Sequence, residues 1–98
     1  MIDKEMLEES LEKAMKNKYW KEQYENAPSE ECKEYLKYTF CYSDNFDPEE
    51  NEKEFDELQK EVEGKLAVDD WEYLKEMVPN SPFVGYCNMK IKELNKIS

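Results

Sequence analysis

Apolar positions recur at steps of three and four along the whole chain, and no stretch alternates for the length of a strand. The first run covers about residues 2–25, with Leu7, Leu11, Ala14, Met15, Tyr19, Trp20 and Tyr24 on the helical period. Asp3 is its expected N-cap, with Glu5 in the favourable first turn. Asn17-Lys18 marks a kink or a break into two shorter helices. Ala27-Pro28 ends the run, because proline disfavours the α region in the residue before it.

Four further runs follow the same logic. Ser29, as N-cap, opens a helix over 30–42 with Glu30 and Glu31 at its positive end. Cys32, Tyr35, Leu36, Phe40 and Tyr42, with Tyr38 and Cys41, make it apolar nearly all round, so it is expected at the centre of the core. A polar loop, Ser43 to Phe46, leads to Asp47-Pro48-Glu49-Glu50, a start signal for a helix over 48–63 with the stripe Phe55, Leu58, Val62. Gly64 is its expected stop. Asp69-Asp70-Trp71-Glu72 predicts a capping box for a helix over 70–78, stapled by Val68 and Tyr73 and stopped by Pro79. Ser81-Pro82 opens the last, 82–97, with Val84, Cys87, Ile91 and Leu94 on one face, although Phe83-Val84 also suits an extended start.

The expected fold is all-α, a compact bundle of four or five short helices, with residues 1–98 forming one domain. Ninety-eight residues suit a single core. The apolar fraction of 39% is modest, but thirteen aromatic residues raise what the core can bury.

Composition narrows the chemistry. The chain has no histidine, so the commonest general base and metal ligand is missing. It has no arginine, and its formal net charge is −11, which argues against direct binding of nucleic acid. Cys32, Cys41 and Cys87 form no CxxC and are too few for structural zinc. The first fifteen residues are charged and amphipathic, and no apolar stretch approaches the roughly 18 residues of a membrane span, so a soluble cytoplasmic chain with reduced thiols is expected. Cys32 lies in a first helical turn, which lowers a thiol pKa, but Glu30, Glu31 and Glu34 oppose that shift. Asn45, Asp47, Glu49 and Asp56 have the spacing of calcium donors, yet Glu50 stands where an EF-hand loop needs glycine. No Gly-rich phosphate loop or nucleophile elbow occurs. The expectation is a non-enzyme without metal or cofactor.

One asymmetry remains. Residues 44–76 hold fourteen acids and four lysines, net −10, whereas residues 77–98 are net +2. Asp44, Asp47, Glu49, Glu50, Asp56, Glu57 and Glu61 form the expected acidic, partner-binding face. The same acids also suit an ordinary solvated helix, with Glu49–Lys53 and Asp56–Lys60 pairs four residues apart. Tyr19, Tyr38, Tyr73 and Tyr86 are candidate aromatic contacts. In composition the chain is similar to small acidic inhibitors: nuclease immunity proteins, antitoxins, and phage- or mobile-element-borne inhibitors of restriction or CRISPR nucleases. No motif of any of them is present. The expected function is an inhibitor or neutraliser of a basic nucleic-acid-binding protein or nuclease. The alternative is a structural or regulatory interaction module, such as a homodimer, in which the charge serves solubility.

Overall fold

The computed structural model describes residues 2–45, 47 and 49–97. These residues form an all-α bundle of six helices: α1 Lys4–Met15, α2 Lys18–Glu25, α3 Glu30–Asn45, α4 Glu52–Glu63, α5 Val68–Met77 and α6 Phe83–Ile97. No strand occurs among the described residues. The sixth helix arises at Asn17, where the first predicted segment breaks. The Asn17 side chain accepts hydrogen bonds from the backbone N–H of Tyr19 (2.9 Å) and Trp20 (3.2 Å), capping a new helix. At the other end of α1, Asp3 caps as expected, accepting from Met6 N at 2.9 Å.

Three of the boundaries that differ from the sequence reading have a clear local reason. Helix α3 runs three residues further than 42, because the Asn45 side chain donates back to the Cys41 carbonyl (3.3 Å) and to Ser10 Oγ (2.8 Å). Helix α4 starts at Glu52 rather than 48. Asp47 instead organises a turn, its carboxylate accepting from Glu49 N (3.0 Å) and its carbonyl from Asn51 N (2.8 Å); Pro48 lies outside the described residues. Helix α5 begins at Val68, so Val68 is the first helical residue and not a staple before it. The acid that reaches back is Asp70, not Glu72: its Oδ2 accepts from Ala67 N at 2.9 Å. Alanine has no side chain to reciprocate, so this is half a capping box. Gly64 does follow α4, but at φ −65°, a right-handed conformation open to any residue.

Helix α1 packs on α3, α3 on α4, and α5 on α6. Cys32, Tyr35 and Leu36 of α3 meet Val62, Leu66, Trp71, Leu74, Met77 and Cys87 in the main core, so α3 is central as its pattern implied. The α5–α6 hairpin reaches α3 through large rings. Tyr35 and Trp71 lie edge to face at 6.0 Å, Trp71 and Tyr86 at 5.8 Å, and Tyr35 stacks on Phe83 at 6.4 Å. Glu63 closes this aromatic seam by accepting from both Tyr35 Oη (3.2 Å) and Tyr86 Oη (2.7 Å). Phe55, fully buried, packs separately against Tyr42.

Polar knots tie down both ends of α3. At its start, Ser29 Oγ accepts from Cys32 N (3.0 Å) and donates to Asp70 Oδ1 (2.7 Å), so the cap of α3 and the start of α5 share one buried carboxylate. At its end, Ser10 Oγ donates to Asp44 (3.3 Å), Asn45 donates to Ser10, and the Asn51 amide donates to the Asn45 carbonyl (3.0 Å). Ser10 is therefore the one fully buried side chain of α1, where the pattern pointed to its leucines. A small hydroxyl with two polar partners fits there; the leucines cover the flank of α3 and stay half-buried.

Candidate interaction surface

Helix α4 forms because its acids and lysines suit its ends: Glu52 and Glu54 lie in the first turn and Lys60 in the last, complementing the macrodipole. Phe55 and Val62 are buried and Leu58 and Gln59 half-buried, which turns Glu52, Lys53, Asp56, Glu57, Lys60 and Glu61 outward. Glu49 and Glu50 are exposed just before it. Among the described residues, none of Glu49, Glu50, Glu52, Asp56, Glu57 and Glu61 is ion-paired, and neither of the expected Glu49–Lys53 and Asp56–Lys60 pairs forms.

The other two predicted face residues have internal partners. Asp44 is on α3, not in the loop expected after it; it pairs with Lys13 at 3.2 Å and accepts from Ser10. Asp47 is half-buried in its turn. Glu54 and Glu63, also on α4, turn inward, Glu54 accepting from Ile2 N at 2.9 Å and Glu63 from the two phenols.

These two inward acids orient the helix. The Glu54 flank faces the start of α1, and the Glu63 flank faces the aromatic seam. At 3.6 residues per turn, Lys53 and Lys60 run along the middle of the exposed arc and divide its acids. Glu57 and Glu61 belong to the Glu54 flank. Glu52 and Asp56 belong to the Glu63 flank, beside Gln59. Glu52, absent from the sequence-derived set, thus shares an edge with Asp56. The signal for it was Gln59, the one uncharged polar residue of α4, three residues after Asp56.

Gln59 also lines a cleft of about 520 Å³. The cleft lies where α3 parts from the α5–α6 hairpin, with Trp20, Phe40, Tyr42, Met77 and Phe83 among its walls. Its thirteen lining residues include no charged side chain, in a chain that is 40% charged. Reading the sequence for exposed aromatics chose other residues. Tyr38, Tyr73 and Tyr86 are half-buried, and all four phenols are held internally: Tyr19 donates to the Met77 carbonyl (2.6 Å), Tyr38 to Glu34 (3.4 Å), Tyr73 to the Gln23 carbonyl (2.6 Å) and Tyr86 to Glu63. Only Tyr19 among them is exposed, at 44%.

The cysteines are buried and unpaired. Burial, then the nearby Asp70 carboxylate rather than the glutamates of α3, pushes the Cys32 thiol up to about 12. Burial likewise pushes Cys87 up to about 11 and raises Cys41. All three stay protonated near neutrality, which removes the thiolate that nucleophilic chemistry needs. Asn45, the first of the calcium-spaced donors, turns its amide nitrogen to Ser10 and Cys41, and no group of three metal-ligating side chains occurs among the described residues. No helix described is long and apolar enough to cross a membrane. A second hollow, about 290 Å³, is lined by Leu7, Tyr24, Lys33 and Tyr38 with neighbouring charges, and Lys33 lies over the Tyr24 ring at 5.8 Å.

No protein-family profile matches the chain, and no curated protein or solved structure matches it either.

Proposed function

We propose that this protein is a non-catalytic inhibitor or neutraliser that docks an acidic surface onto a basic, nucleic-acid-binding protein such as a nuclease. The observation that carries the reading is the set of exposed carboxylates at Glu49, Glu50, Asp56, Glu57 and Glu61, together with Glu52, none of them ion-paired among the described residues. Exposed charge of one sign steers a partner of the other and suppresses wrong ones. A surface built this way competes with phosphates for the lysines and arginines of a nucleic-acid site, without any active site of its own.

The test is to immobilise the full chain, capture partners from the cells that carry it, and elute with a salt gradient. A basic partner that releases as ionic strength rises, and is no longer captured when Glu49, Glu50, Asp56, Glu57 and Glu61 are all changed to Lys, supports the reading. A partner retained by the charge-reversed chain, or one indifferent to salt, removes it.

A further inference from the structure

Charge at the edge of an interface sets the rate and selectivity of encounter, while affinity comes from a desolvated apolar centre filled by a few anchors. The exposed arc of α4 has no such centre: its neighbours are all charged. The cleft beside it has the complementary properties. Its walls are ring and aliphatic surfaces, its volume of about 520 Å³ lies within the roughly 300–1,000 Å³ typical of binding clefts, and no charged side chain lines it. The two surfaces meet at Gln59, which lines the cleft and follows Asp56 by three residues, so that the two are neighbours on the helix, with Glu52 one turn further back along the same edge. Ser43 of α3, which also lines the cleft, is exposed, and neither its hydroxyl nor the Gln59 amide has a partner among the described residues.

We infer that the cleft between α3 and the α5–α6 hairpin receives the apolar side chains of an amphipathic basic segment of the partner, whose lysines or arginines meet Glu52 and Asp56 along its edge. This rests on the acidic-docking reading and makes it unequal. The acids on the cleft edge hold the bound segment, whereas Glu57 and Glu61, across Lys53 and Lys60, contribute only to its approach. An uncharged cleft excludes the segment's cations from the interior, and the acids beside it fix which way the segment lies.

The probe is a fluorescently labelled synthetic peptide of about four helical turns, built from Leu and Lys so that one face is apolar, titrated with the full chain. Its controls are an isomer of the same composition with the apolar period scrambled, and N-phenyl-1-naphthylamine, a neutral apolar dye. The amphipathic peptide is expected to bind at least about tenfold tighter than its isomer and to shift the emission of Trp20, which lines the cleft, while Trp71 stays 1% exposed in the core. The double variant Glu52→Lys/Asp56→Lys should weaken binding about tenfold, and Glu57→Lys/Glu61→Lys less than about threefold. Ser43→Phe, which fills the cleft from an exposed helical site, should weaken it about tenfold with an unchanged far-ultraviolet circular dichroism spectrum.

Equal binding of peptide and isomer, with equal losses from the two charge-reversed pairs, overturns the cleft proposal and leaves the acidic surface standing. Peptide binding that survives both charge-reversed pairs overturns the proposal and counts against the acidic surface as well. Dye binding that Ser43→Phe abolishes, without any effect of that change on the peptide, makes the cleft a small-molecule site and also overturns the proposal, as does failure of the peptide to bind.

Discussion

The two ends of α3 are both fastened by buried polar groups, yet one fastening is complete and the other is not. At the N-terminal end, each Asp70 oxygen has a donor, Ser29 Oγ on one side and Ala67 N on the other, and the aromatic seam packs directly below. At the C-terminal end, Asn51 is 7% exposed and donates to Asn45, but its Oδ1 has no hydrogen-bond partner among the described residues. A buried network with every group satisfied specifies one geometry; one with an orphan acceptor has already forgone part of that gain. The stability of the bundle is therefore concentrated where α3 begins, away from the turn at Asp47.

The largest test of this contrast is Trp71→Ala, expected to cost about 4 kcal/mol because it empties a fully buried ring position. Asp70→Ala should follow at about 3 kcal/mol, since it strands the Ser29 hydroxyl and the Ala67 N–H together. Asn51→Leu at the other end should cost about 1 kcal/mol or less, because it removes an orphan acceptor along with a single hydrogen bond. Urea midpoints of the three variants give the ranking, and an Asn51 variant as damaged as the Asp70 variant would erase the distinction between the ends.

Alkali sharpens the same comparison. Folding raises Cys32 from 9.0 to about 12 and Cys87 to about 11, both beside the seam, and raises the Tyr35 and Tyr86 phenols through burial and Glu63. The folded chain keeps protons that the unfolded chain gives up, so this stabilisation is whole below about pH 9 and falls as pH climbs towards 11 and 12. Each such group contributes a slope of up to about 1.4 kcal/mol per pH unit within its window. The urea midpoint should drop between about pH 8 and about pH 10. A midpoint that does not move over that interval contradicts buried, protonated thiols.

The smallest effect is expected far from both ends. Gly85 is exposed in α6, and an added Cβ there meets nothing within 4 Å. Gly85→Ala should therefore stabilise the chain by about 0.5–1 kcal/mol through lost freedom of the unfolded state. Thermal melts of the two forms decide it, and a lower melting temperature for the alanine variant would mean the space is filled by something else.

Local signals were legible in the residues, and pairings were not. Asp3 and Ser29 read correctly as caps because a cap depends on three or four neighbouring residues, and the central place of α3 followed from its all-round apolarity. The start of α4 read four residues early because Asp47 and the acids after it satisfy a turn as well as a helix. Asp70 read as part of a local box, but its second oxygen serves Ser29, 41 residues away, and no spacing rule sees that. The acids of α4 were visible as charge. Their division into two edges was not, because it depends on which flank meets Ile2 and which meets Tyr86.

The break at Asn17 has a consequence for how the chain assembles. Helix α2, with eight residues, is too short to persist in water alone. Two phenols buckle it to α5 in opposite senses, Tyr19 reaching Met77 and Tyr73 reaching Gln23. Those contacts span 58 and 50 residues, so the loop they close must be drawn together before either bond can hold α2 in its helix. Helix α2 would then be among the last segments of the bundle to fold.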